Sequence, residues 1–284
     1  MDILVSPQIE RLIRDSLDED IGAGDLATMA TISAESQGTG LFRAKKEGVV
    51  AGLVLLERIF YFIDPKVNVS LLTKDGTQVA QGTVVAEAAG PVRALLLAER
   101  TALNFLQRLS GTATLTRQYV EAVKDFACKV LDTRKTTPGL RTLEKYAVRM
   151  GGGTNHRIGL YDAALVKDNH IEATGSIAEA VKAVRLHAPF MAKVEVEAGN
   201  LTQVQEAIDA GADVIMLDNM SIVQMAEAVR LVNKRAWVEA SGGITLNTIR
   251  QIAETGVDFI SSGALTHSAP VVDFNMKITM NVGK

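Results

Sequence analysis

The sequence is short of the residues that mark secreted, membrane-spanning or nucleic-acid-binding chains. It holds one cysteine, Cys128, which leaves no internal disulfide framework and fits a reducing cytoplasm. Trp, Tyr and Phe make up 5% of the 284 residues, few rings on which bases would stack, so nucleic acid is not the expected partner. Charge of one sign is lacking too: 33 acids face 30 Lys and Arg, a net -3. The longest apolar run, Gly48 to Leu56, is bracketed by Lys45, Lys46, Glu57 and Arg58 and falls far short of the roughly 18 residues a spanning helix needs. Where a secretory signal shows a basic start and an apolar centre, the N-terminus carries Asp2, Glu10, Asp15, Asp18, Glu19 and Asp20. A mature, soluble protein is therefore expected. No Pro- or Ser-rich linker and no low-complexity stretch interrupts the chain, and at this length roughly three quarters of the unfolded surface is hidden on folding, enough for a full core.

What is present has two rhythms, changing near residue 110. The first part opens with a helical pattern (Ile9, Leu12, Ile13, Leu17), followed by strand-like stretches Gly40 to Gly52, Val67 to Leu72 and Thr83 to Ala88 with Asp75-Gly76 as a turn. A helix follows from Arg93 to Leu109, closed by Gly111, with Arg100, Asn104 and Arg108 on one polar stripe. The second part repeats a short apolar run, a polar tip and an amphipathic helix. The six runs are Lys129 to Leu131, Ala163 to Val166, Val194 to Val196, Val214 to Leu217, Trp237 to Ala240 and Phe259 to Ser261. Ser176 with Glu179 and Ser221 with Gln224 have capping-box spacing, and the expected apolar faces are Ile177, Val181, Val184; Ile222, Ala226, Val229; and Leu246, Ile249, Ile252. Buried strands alternating with helices mean a parallel sheet in an α/β fold, and the short repeat favours a barrel with fewer than the usual eight strands.

Active sites of such barrels gather at the strand tips. Read in order, these tips are Asp132-Thr133-Arg134-Lys135, Lys167-Asp168-Asn169-His170, Glu195 and Glu197, Asp218-Asn219, Ser241-Gly242-Gly243 and Ser262-Gly263-Ala264. Between Arg134 and His170, seven Lys or Arg outnumber three acids. A solvated basic face is one reading; with Arg134, Lys135 and Lys167 directly at strand ends, a small polyanion is the better one. Glu197 and Asp218, two hard oxygen donors, suit Mg²⁺ shared with substrate phosphates, against the plainer reading that they only balance nearby cations. The two glycine-bearing tips, with a helix expected to be capped near Thr245, match the phosphate-binding loops of the last two barrel strands. Gly151-Gly152-Gly153-Thr154-Asn155-His156-Arg157 lacks the Lys-Ser/Thr ending of a P-loop; it is either a loop that delivers His156 and Arg157 or a turn. His187 is read as a surface residue and Cys128 as core.

These residues resemble a known family. Asp132-Thr133-Arg134-Lys135-Thr136-Thr137-Pro138-Gly139-Leu140-Arg141, Glu144-Lys145-Tyr146-Ala147-Val148, the Gly151 to Arg157 block and Lys167-Asp168-Asn169-His170 look like quinolinate phosphoribosyltransferase. The likeness runs from Glu19-Asp20-Ile21-Gly22-Ala23-Gly24-Asp25 to Ser262-Gly263-Ala264-Leu265-Thr266. It implies an N-terminal open α/β sandwich, residues 1–110, joined by the tail 269–284, and an incomplete α/β barrel, 111–268. It implies a homodimer in which Arg100 enters the neighbour's pocket, and conversion of quinolinate and phosphoribosyl pyrophosphate to nicotinate mononucleotide, pyrophosphate and CO₂, a step of NAD synthesis. On that likeness Arg134, His156, Arg157 and the partner's Arg100 would bind quinolinate, with Thr133 beside them. Lys135 and Lys167 would bridge the substrates, Glu197 and Asp218 would hold Mg²⁺, and Ser241 to Gly243 with Ser262 to Ala264 would grip the 5′-phosphate.

Rival readings are a ModD-type protein of molybdate-transporter operons, a nicotinate phosphoribosyltransferase that does not decarboxylate, a Schiff-base aldolase using Lys167, and a non-catalytic phosphate-ligand sensor.

Overall fold

The computed structural model describes residues 6–281; Asp2 and residues 282–284 of the expected tail lie outside them. The elements in order are α1 (Pro7–Ile21), α2 (Leu26–Thr31), β1 (Gln37–Ala44), β2 (Gly48–Val49), α3 (Leu53–Ile63), β3 (Asn68–Leu71), β4 (Gln78–Val79), β5 (Val84–Pro91) and α4 (Val92–Ala122). Then come β6 (Lys129–Leu131), α5 (Arg141–Met150), β7 (Ala164–Val166), α6 (Asp168–Thr174), α7 (Ile177–His187), β8 (Val194–Ala198) and α8 (Leu201–Asp209). The chain closes with β9 (Val214–Asp218), α9 (Ile222–Val232), β10 (Trp237–Ser241), α10 (Ile249–Glu254), β11 (Phe259–Ser261), α11 (Ala264–His267) and β12 (Phe274–Met280). They cluster into two units. One takes the residues up to Leu115, Pro138–Gly152 and the segment from Ala269 onward; the other takes Thr116–Thr137 and Gly153–Ser268.

In the first unit an antiparallel sheet runs β12-β1-β5-β3. Alternation on β1 buries Gly38, Gly40, Phe42 and Ala44, and Phe42 meets Phe60 of α3 edge-on at 6.1 Å. Helix α1 follows its predicted pattern: Ser6 caps it by accepting from the Ile9 amide, and Ile9, Ile13 and Leu17 are buried.

Three expectations for this part change. The strand expected from Gly40 to Gly52 ends at Ala44, and the apolar run beyond β2 coils into α3. Gly52 adopts φ +103°, a left-handed turn that stops extended chain. The Asp75 carboxylate then accepts the Gly52 and Leu53 amides at 3.0 Å each, capping the helix as well as sitting in the expected turn. Helix α4 does not close at Gly111. A β-carbon there would lie 2.1 Å from the Pro270 carbonyl oxygen, so this glycine serves close backbone approach. Residues 138–152, expected within the barrel, belong to the first unit, because α5 buries Leu143 and Ala147 in its core and Tyr146 donates to Asp75 at 2.7 Å.

The second unit is a six-stranded parallel sheet in the order β6-β11-β10-β9-β8-β7 with helices between successive strands, an incomplete α/β barrel whose edges are β6 and β7. The six apolar runs are its six strands. The Gly-rich block is neither free loop nor simple turn. The Thr154 amide donates to Val130 O at 2.8 Å and the Asp132 amide to Thr154 O at 3.3 Å, a parallel bridge along the free edge of β6. Ser176 caps α7 alone, and the reciprocal box forms at Ser221 and Gln224. Helix α9 buries Met225, Ala228 and Val232, leaving Ile222 exposed. The helix expected to be capped near Thr245 begins at Ile249 under Thr248, because the Thr248 hydroxyl already holds the Thr245 amide in a turn; Leu246 precedes the helix and is exposed. No described helix is long and apolar enough to cross a membrane.

Candidate active site

Side chains on a strand alternate between faces, so residues two apart point the same way. In the second unit this brings Leu165 and Lys167, Glu197, Met216 and Asp218, Glu239 and Ser241, and Ser261 round one cavity of about 350 Å³, closed by Thr133, Arg134, Lys135, His156 and Arg157. Ladder register sets the layers: Glu197 pairs with Met216, Met216 with Glu239, and Asp218 with Ser241.

Each named tip has a local cause. The Thr133 hydroxyl accepts the Lys135 amide at 3.0 Å, turning the chain after β6 so that Arg134 and Lys135 reach the cavity. Asp132, fully buried, accepts the His156 amide at 2.9 Å and the Asn155 side chain at 2.5 Å, which holds the bridging segment in place. Arg157 donates to Ala163 O at 3.0 Å. Burial, and then the Arg134 charge, press its guanidinium below its ordinary pKa, as expected where two like charges are held close together. Lys167 Nζ lies 2.7 Å from Glu197 Oε2. Ser241, Gly242 and Gly243 stand after β10, the two glycines at φ +95° and +62°. Ser262 donates its amide to Leu131 O, and Gly263 packs closely under Lys135, where a β-carbon would fall 2.9 Å from Lys135 Cδ. Ala264 opens α11. Arg100 is exposed on α4, in the other unit. His187 is exposed and Cys128 buried, and burial pushes the Cys128 thiol up.

Beneath the cations lies a cluster that tip-by-tip reading leaves unexplained. His156 Nε2 is 3.1 Å from Glu195 Oε2 and 3.4 Å from Glu239 Oε2, while its Nδ1 accepts the Arg157 amide at 2.8 Å. Both ring nitrogens are thus engaged within the protein. Burial alone would lower the imidazole, but hydrogen bonds and charge from Glu195 and Glu239 outweigh it and raise the pKa to about 10. The Arg157 amide favours the neutral ring, yet one amide dipole is weaker than two buried carboxylates. Burial and the Glu239 charge push Glu195 upward, against the pull of His156. Glu239 was missed because it precedes its tip by two residues; its alternation with Ser241 was the available signal.

Two donor sets face the question of a metal. The His156, Glu195 and Glu239 ligand atoms lie within 4.8 Å of one another, but this set includes a nitrogen already bonded to both carboxylates. Glu197 and Asp218 both line the cavity and offer oxygen only, the donor type Mg²⁺ prefers when most of its shell is water and phosphate. The second set fits the ion better.

Two family models match the chain: "Quinolinate phosphoribosyl transferase, N-terminal domain" over residues 25–110 and "Quinolinate phosphoribosyl transferase, C-terminal domain" over 112–277. A probable nicotinate-nucleotide pyrophosphorylase [carboxylating] of Synechocystis is 48% identical over 98% of this chain and 94% of its own. One from Bacillus subtilis is 47% identical over 96% and 94%. The crystal structure of NadC from Streptococcus pyogenes superposes with a TM-score of 0.94 at 46% identity, covering 98% of this chain and 99% of that one. Human nicotinic acid phosphoribosyltransferase, at 12% identity and a TM-score of 0.60 over 98% of this chain and 74% of its own, shares the fold alone. Two domain matches that together cover residues 25–277 save for position 111, and near-complete relatives at almost half identity, establish that the chain belongs to the quinolinate phosphoribosyltransferase family.

Proposed function

We propose that this chain transfers the phosphoribosyl group of phosphoribosyl pyrophosphate to quinolinate and releases pyrophosphate and CO₂, giving nicotinate mononucleotide for NAD synthesis. The observation that carries the reading is one cavity lined by four cations, Arg134, Lys135, Arg157 and Lys167, together with the carboxylates Glu197 and Asp218 on the adjacent strands β8 and β9. Anions and a sugar cation need opposite charges, and both are supplied here.

Arg134 and Arg157 hold the two adjacent ring carboxylates of quinolinate, joined by Arg100 of the partner subunit in a homodimer. His156, fixed by Glu195 and Glu239, sets the Arg157 backbone. Lys135 and Lys167 stand between the two substrates. The 5′-phosphate is gripped by Ser241 to Gly243 and Ser262 to Ala264. Magnesium, when held by Glu197 and Asp218, supplies charge neutralisation for pyrophosphate. As the glycosidic bond to pyrophosphate lengthens, positive charge grows on the ribose, and Glu197 and Asp218 stabilise it while the cations align the pyridine nitrogen for attack. Once alkylated, that cationic nitrogen stabilises the electron pair left on the adjacent ring carbon by departing CO₂, and the carbon then takes up a proton from solvent, so no organic cofactor is required. The setting is a reducing cytoplasm.

Lys167 is exposed and paired with Glu197, whereas a Schiff-base lysine needs a desolvated surround. The deciding assay supplies quinolinate, phosphoribosyl pyrophosphate and Mg²⁺ and follows pyrophosphate and CO₂ in equal amounts. Pyrophosphate release with nicotinate instead of quinolinate, and no CO₂, would replace this reading with the non-decarboxylating one.

A further inference from the structure

We infer that Asn219 is a positioning residue that locks the Asp218 tip to the Ser241–Gly243 loop, so that the pyrophosphate end and the 5′-phosphate end of the sugar substrate are gripped as one rigid unit; this rests on the proposed function. Asn219 directly follows β9 and holds φ +53°, the left-handed region that side-chain-bearing residues seldom adopt and asparagine tolerates best. Among the described residues the two other non-glycine residues with positive φ, Asn233 and Lys234, lie at the end of α9, where such a turn is routine. Asn219 has no such excuse, and its side chain is exposed, so core packing does not impose its conformation.

Three contacts define what the conformation achieves. The Asn219 side-chain amide donates to Asp218 Oδ2 at 2.9 Å, fixing one carboxylate oxygen and leaving the other for the cavity. Its backbone amide donates to Ser241 O at 3.0 Å, extending the β9–β10 ladder one step beyond the strands. A β-carbon on Gly242 would fall 2.2 Å from Asn219 Oδ1 and 3.0 Å from Asn219 N. Gly242 is thus a glycine on two counts, its own φ of +95° and the amide pressed against it. Asp218 and Ser241 both line the cavity, and Asn219 touches both of them and Gly242.

Calorimetric titration of phosphoribosyl pyrophosphate with Mg²⁺, and of quinolinate separately, tests this on N219G, N219D, G242A and the N219G/G242A pair, with melting temperature and KM and kcat measured alongside. Asn219→Gly keeps the backbone conformation and removes the amide. It should weaken phosphoribosyl pyrophosphate binding about tenfold, the loss of one hydrogen bond to a charged group, and leave quinolinate affinity as it was. Asn219→Asp, with a carboxylate beside Asp218, should weaken it further, and it carries the comparison if N219G melts early. The double variant should bind better than the two single losses predict, because the clash at Gly242 is relieved. Unchanged phosphoribosyl pyrophosphate affinity in N219G and N219D, equal losses for both substrates, or strict additivity overturns the inference. A wild-type protein that binds neither substrate overturns the proposed function instead.

Discussion

Arg108 on α4 and Glu144 on α5 meet through two guanidinium nitrogens, Nη2 at 2.8 Å and Nε at 3.2 Å from Glu144 Oε1, and Glu144 has no exposed surface. Both residues belong to the first unit, where this pair fastens α5 to the long helix. Removing Arg108 takes two charge-assisted hydrogen bonds away from a buried carboxylate, which costs about 3 kcal/mol. Arg108→Ala should therefore unfold at distinctly lower urea than the wild type, and Glu144→Gln, which removes the buried charge itself, should cost less. Equal midpoints for R108A and wild type would contradict the pairing.

Arg134 faces the cavity beside Arg157, and the two repel each other across it. Arg134→Ala should lower quinolinate affinity by at least about 30-fold, the loss of a charge-assisted contact, and leave phosphoribosyl pyrophosphate binding largely intact. Unaltered quinolinate titration heat in R134A would remove Arg134 from the carboxylate-binding role.

Arg100 and Arg134 give a test of a shared site. Subunits bearing Arg100→Ala alone or Arg134→Ala alone should each be inactive. Mixed and reassorted, half the pairs would be hybrid, each with one site free of both lesions, so about a quarter of wild-type activity should return. No recovery on mixing would place Arg100 outside the neighbour's site.

For His156 the sign follows from proton affinity. The ring titrates near 6.5 in an unfolded chain and at about 10 when folded, so the folded state binds the proton more tightly. Its contribution to stability is complete below pH 6.5 and disappears as pH rises through about 10. The difference in urea midpoint between wild type and His156→Gln should be largest at neutral pH and below and shrink toward alkaline pH. A difference that grows with pH would invert the assignment.

Much of the barrel was legible because its strands are short apolar runs with polar punctuation, and a buried parallel sheet writes that pattern plainly. Thr133, Arg134, Lys135, His156, Arg157, Lys167, Glu197, Asp218 and Ser241, all named from the sequence, line the one cavity. The first unit was less legible. Helix α3 is apolar along most of its length, with Leu53, Leu55, Leu56, Ile59 and Phe60 buried, so it shows no polar face to give away its period. Gly111 reads as a stop by type, and its real reason, the Pro270 carbonyl, is far along the chain. The same distance hid α5: its neighbours in sequence are barrel residues, while its partners Asp75 and Arg108 come from earlier segments. Glu239 was hidden differently, by attention to tips where the period of two was the better guide.

Strand β12 pairs along β1 from Gly38 opposite Met280 to Ala44 opposite Phe274. On the ribosome, β1 emerges early and β12 only after all six strands of the barrel. Synthesis usually lets the leading domain finish first; here the order is reversed, and the leading sheet waits with one edge open while the later unit acquires everything it needs. An open strand edge recruits other strands. Until β12 arrives, that edge of β1 is therefore unprotected against pairing with other strands.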